Sequence, residues 1–125
     1  MIGFKKRKDY TLVLEERTNF IFVLTELMEI LIISKNEPQS IVIKNLIEVY
    51  TKNNFSQFVK LINGVEMWGG SGAVWEVYIQ DKLKATEFEV GMLALIELME
   101  KTKIIGKGIK PIKKIFQNNL RVQWL

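Results

Sequence analysis

Apolar residues recur at three- and four-residue spacing over most of the chain, which predicts helices rather than strands. Val13, Phe20, Leu24, Leu27 and Leu31 mark a first helix from about residue 10 to residue 34. Asp9 suits its N-cap, and Thr18-Asn19 is the place where it would break in two. A second helix follows Asn36-Glu37-Pro38, where proline fits a first turn; it carries Val42, Ile43, Leu46, Ile47 and Tyr50 on one face and ends at Asn53-Asn54. A third starts at Ser56, uses Phe58, Leu61, Ile62, Val65 and Trp68, and is expected to end with Gly69 in the left-handed conformation. The fourth opens on Thr86-Glu87-Phe88-Glu89, which reads as a capping box, and shows Phe88, Met92, Leu95, Ile96 and Met99 as its stripe before Gly106 stops it. Pro111 then opens a short basic helix to about Asn119.

One stretch breaks this rhythm. Met67-Trp68-Gly69-Gly70-Ser71-Gly72-Ala73-Val74-Trp75-Glu76-Val77-Tyr78 sets three glycines, two tryptophans and a tyrosine side by side. Glycine is costly inside helices, so this is a turn that needs unusual dihedrals or very close packing, with Gly70 or Gly72 at positive φ. Trp68, Gly69, Gly70, Gly72 and Trp75 are therefore its structural residues. After it, the β-branched and aromatic content of residues 73–79 favours a strand, while Val74, Trp75, Tyr78 and Ile79 also suit one helix face. We read it as a short helix with an extended tail, which gives a short extended segment near residues 74–80.

The expected fold is an all-α, compact bundle of four to five helices. Residues 9–105 form the helical core and 106–125 a basic C-terminal helical appendage. A chain of 125 residues is one domain with a single real core. The greasiest stretch, residues 20–33, contains Glu26 and Glu29, and its longest apolar run, Phe20 to Leu24, is far short of the roughly 20 residues a membrane span needs. Met1 to Lys8 carries charge without the apolar region of a secretory signal, so the expected compartment is the cytoplasm.

The net charge of +4 conceals a polar layout. Residues 5–8 carry four positive charges; residues 101–125 carry seven and no acid; residues 9–100 hold all fourteen acids against seven bases. This is an acidic body with two basic ends. The basic C-terminal residues Lys107, Lys110, Lys113, Lys114 and Arg121, interleaved with Phe116 and Trp124, suit a phosphate backbone with stacked bases. The amphipathic split, with lysines outward and Ile112, Ile115 and Phe116 on another side, suits better a terminal helix docked on the acidic body.

Cysteine and histidine are both absent. Thiolate nucleophiles, Cys-ligated metals, histidine general bases and Glu-x-x-His metal sites are thereby excluded. Gly69-Gly70-Ser71-Gly72 is no nucleophile elbow, because Ala73 stands where glycine is needed, and no phosphate loop, because no Gly-Lys-Ser/Thr follows. It reads as a tight turn that packs Trp68 and Trp75, with a generic anion site at a helix N-terminus as the other reading. Glu26/Glu29 and Glu97/Glu100 share helix faces at i, i+3, but nothing converges on them, so they read as solvated faces. The expectation is no enzyme, no cofactor and no metal.

The Gly-rich stretch resembles the Gly-Gly-x-Gly-Ser-x-x-Asp-hydrophobic pattern of a family of small, uncharacterised bacterial helical proteins, which look like immunity proteins of polymorphic-toxin and contact-dependent growth inhibition systems. Gly69, Gly70 and Gly72 match outright; Ala73 stands for the usual serine and Glu76 for the usual aspartate. The likeness spans about residues 20–105 and leaves both basic ends outside it. It implies a cytoplasmic toxin inhibitor working by protein–protein interaction with a cognate toxin domain. An acidic body would meet a basic cleft, with Glu66, Glu76, Glu97 and Glu100 as the expected contact residues. The alternative is a small nucleic-acid-binding or regulatory protein acting through its basic ends.

Overall fold

The computed structural model describes residues 9–123; the Lys5-Lys6-Arg7-Lys8 cluster and Trp124-Leu125 lie outside them. The described residues are all-α, with no strand: α1 (Thr11–Glu15), α2 (Arg17–Ile33), α3 (Glu37–Thr51), α4 (Phe55–Ile62), α5 (Val65–Trp68), a 3-10 turn (Val74–Glu76), α6 (Lys82–Lys101) and α7 (Lys110–Gln123). Central α2 packs against α3 on one side and α6 on the other; α4 lies on α3 and α7 on α6. The five helices of eight residues or more are those that the apolar periodicity marks. The 3-10 turn followed by extended Val77 matches the reading of residues 74–80.

The boundaries depart from the expected ones where a side chain from another element intervenes. The first helix breaks at Glu16 rather than at Thr18-Asn19. The buried Tyr50 hydroxyl donates to the Val13 carbonyl at 2.6 Å. A donor inserted into the i→i−4 ladder bends a helix there. Tyr50 also anchors an aromatic cluster, with ring centroids 5.5 Å from Phe20 and 4.9 Å from Phe58. Asp9 accepts from the Thr11 N–H at 2.9 Å, while Tyr10 holds the N-cap position of α1.

The helix expected from residue 56 to residue 68 is two, α4 and α5, separated at Asn63-Gly64. The Asn63 amide donates to the carbonyls of Val59 at 2.9 Å and Ile104 at 2.8 Å, and its oxygen accepts from the Gly106 N–H at 2.7 Å. One side chain thus ends α4 and ties it to the α6–α7 connector. α6 begins a turn earlier than the capping box implies: Asp81 accepts from the Lys84 N–H at 2.9 Å, and Thr86 sits inside the helix, donating to the Lys82 carbonyl. It ends at Lys101, before Gly106, with Lys103 in the left-handed conformation.

The residues expected as an appendage share the core. Ile109, Ile112 and Phe116 are buried in the same apolar cluster as Phe88, Met92, Ile96 and Met99 of α6. Helix α7 runs on to Gln123, past the expected end near Asn119.

Candidate functional site

The Gly-rich turn is held by its own backbone. Trp68 Nε1 donates to the Ile62 carbonyl at 2.6 Å and Trp75 Nε1 to the Gly69 carbonyl at 2.8 Å, so both indoles, partly buried against the core, fasten the turn. Gln39 of α3 donates to the Gly72 carbonyl at 3.0 Å. Gly69 is not left-handed, as expected, but has φ −76° and ψ −153°. Its constraint is space: a Cβ there would lie 2.6 Å from the Val65 carbonyl oxygen. Gly72 carries the positive φ, +89°, and Gly70 has neither constraint. The Ala73 N–H is taken by the Gly70 carbonyl, and Glu76 places a carboxylate in the 3-10 turn that follows, which opposes an anion there.

Alanine substitution should separate the three glycines. Gly69→Ala should destabilise most, because a backbone carbonyl must move. Gly72→Ala should cost about 1–2 kcal/mol for its left-handed backbone. Gly70→Ala should be neutral or stabilising by up to about 1 kcal/mol. Thermal melts of the three variants check that order.

The four glutamates do not form one surface. Glu66 lines a shallow hollow with Pro38, Gln39, Val42 and residues 70–73; Glu76 is exposed on the 3-10 turn. Glu100 holds Lys113 of α7 at 2.8 Å, a partly exposed pair. Glu97 faces a furrow between α2 and α6.

That furrow is an exposed, largely apolar surface feature. Two adjoining hollows, each about 300 Å³, share Val23 and Ala94. Asn19 lies opposite Leu98 and Lys101 at one end, and Ile30 opposite Thr86 and Glu87 at the other, so the helices run antiparallel. A Cβ on Gly91 would lie 2.8 Å from a Leu27 methyl, which places Gly91 where α2 and α6 approach closely. Phe22 (65% exposed) and Val90 (52% exposed) form the walls. Exposed Ile33 and Leu83 continue the same helix faces beyond it, at i+3 from Ile30 and i−4 from Glu87.

Three carboxylates, Glu26, Glu87 and Glu97, line the furrow. Lys84 pairs with Glu87 at 3.1 Å. Lys101 at the far end is drawn to Glu16 at 2.5 Å, and with the Asn19 amide it holds the Glu16 carboxyl below its ordinary value. The furrow therefore presents apolar walls under a net negative rim. In the sequence, Phe22 sits inside the apolar run Phe20 to Leu24 but off the stripe of the first helix; its two-residue offset from buried Phe20 and Leu24 is the signal that puts it outside.

The basic tail is docked rather than free. Phe116 is buried against α6 and offers no face for a base to stack on, while Lys107, Lys110, Lys114 and Arg121 remain exposed. Among the described residues no helix is long and apolar enough to cross a membrane, and no group of three or more acidic side chains is placed to hold a metal ion. Comparison with protein-family models, curated proteins and solved structures returns no match.

Proposed function

We propose that the protein is an immunity protein that binds a cognate toxin domain and neutralises it, with the α2–α6 furrow as its docking surface. The observation that carries this reading is the exposed apolar furrow rimmed by Glu26, Glu87 and Glu97. An exposed apolar patch inside a polar rim is the anatomy of a protein-binding surface, and Phe22 is its natural anchor. Carboxylates around it complement a basic cleft, such as that of a toxin acting on nucleic acid, and speed association with it. The Gly-rich likeness to immunity proteins points the same way.

The test uses a cognate toxin domain, sought among the genes that neighbour the one encoding this protein. The two should form a stable one-to-one complex by size-exclusion chromatography with light scattering. Reversing Glu26, Glu87 and Glu97 to lysine should slow association at low salt by about tenfold or more, with the difference shrinking at high salt. Reversing Glu66 and Glu76, which lie elsewhere, should leave the rate nearly unchanged. A complex that forms as fast with the furrow reversed would move the interface; no complex with the wild type would end the reading.

A second reading keeps one observation of its own. Exposed Lys107, Lys110, Lys114 and Arg121 would serve a nucleic-acid-binding role, which predicts a strongly salt-dependent affinity for DNA or RNA that is lost when these four are neutralised.

A further inference from the structure

On the other side of α6 from the furrow, a hollow of about 270 Å³ opens between α6, α7 and the extended segment after the 3-10 turn. Its lining is mostly aromatic and aliphatic, including Trp75, Tyr78, Phe88 and Phe116. Glu89 is the one charged residue among those that line it. The shift of the α6 cap to Asp81 releases Glu89 from the capping role its sequence position suggests. Among the described residues its Oε2 is buried without a hydrogen-bond partner, and Asn119 is the side chain in the lining that hydrogen-bonds the carboxyl.

A carboxylate set among rings without a counter-ion is costly, because removing a charge from water is repaid only by a paired charge or a full set of hydrogen bonds. Burial accordingly pushes the Glu89 carboxyl above its ordinary value, against the opposing pull of the Asn119 hydrogen bond. Nothing in the packing of α6 on α7 calls for an acid here, since Phe88 of α6 and Phe116 of α7 both line the hollow and belong to the same apolar cluster. Aromatic faces around a single anion are the chemistry that recognises an organic cation: the rings attract it through their quadrupoles and the carboxylate neutralises it. The Trp75 indole is already fixed for that role by its bond to the Gly69 carbonyl. Tyr78, highly exposed, stands at the mouth.

We propose that this hollow binds an ammonium or guanidinium group on a short apolar stem, with Glu89 as its counter-ion, Asn119 as a second polar contact, and Trp75 and Tyr78 as the aromatic walls. The proposal stands apart from the immunity reading, because it concerns a different face of α6. Such a cation is supplied either by a small free molecule or by a lysine or arginine side chain of a bound protein.

Titration of the 15N-labelled protein with n-butylguanidinium, with capped arginine (acetyl-arginine methylamide) and with neutral n-butylurea tests it. Both cations, or one of them, should give saturable shifts centred on the Trp75 indole N–H, Glu89 and Asn119 at millimolar concentration, and n-butylurea none. Binding of capped arginine points to a partner's side chain; binding of n-butylguanidinium alone points to a small molecule. Glu89→Gln should weaken binding by about tenfold or more while keeping the spectrum of the folded protein. Ala85→Met, which fills the hollow without altering Glu89, should weaken it as well. No saturable shift with either cation, or equal binding by Glu89→Gln, would overturn the proposal.

Discussion

Removing residues 106–125 should unfold the protein rather than trim it. Ile109, Ile112 and Phe116 are 2%, 7% and 3% exposed, and all three belong to the single apolar cluster. Burying one such side chain is worth about 1.5–3 kcal/mol, so the three together supply roughly 5–9 kcal/mol. That is comparable with the whole net stability of a domain, about 5–15 kcal/mol. Deletion also uncovers the face of α6 that packs on α7 and carries buried Phe88. The Lys113–Glu100 pair adds little, being partly exposed. A milder change reports on the same contact: Phe116→Ala should cost about 3–5 kcal/mol. Circular dichroism melts of both variants and slow amide exchange in α7 check this; a truncated protein with an unchanged, cooperative melt would contradict it.

The second large effect concerns the furrow. Phe22→Ser with Val90→Ser should weaken a furrow-bound partner by about a hundredfold or more, since a buried aromatic anchor at an interface contributes about 2–4 kcal/mol. Both residues are more than half exposed in the free protein, so the melting temperature should stay nearly unchanged. Isothermal titration beside a thermal melt separates the two quantities. Loss of binding accompanied by loss of fold would mean that the furrow walls are part of the core.

Much of this architecture was legible in the apolar periodicity, because helix faces answer to local spacing. Phe20, Leu24, Leu27 and Leu31 repeat at the interval of a buried stripe and are buried. What spacing misses is decided by residues distant in the chain. The break at Glu16 depends on Tyr50, the end of α4 on the Asn63 bonds to Ile104 and Gly106, and neither is visible within a helix-length window. The capping box at Thr86 is a sound local pattern overtaken by Asp81, which caps α6 despite a lysine at its N3 position. A basic helix after two glycines reads as an appendage, yet its apolar face completes the α6 side of the core.

The candidate surface was less legible still. Its walls come from α2 and α6, and no local window holds both Phe22 and Val90. Of the four glutamates expected at an interface, Glu97 alone lies in the furrow; Glu26 and Glu87 join it because the two helices run antiparallel. The Gly-rich turn, by far the most conspicuous signal in the sequence, serves mainly to fasten two tryptophans and redirect the chain.

Growth of cells producing the cognate toxin domain tests the central claim most directly. Cells that also produce the wild-type protein should grow, whereas cells producing the folded Phe22→Ser, Val90→Ser variant at the same level should not. Wild-type protein that fails to protect, or a furrow variant that protects as fully as the wild type, would contradict the account.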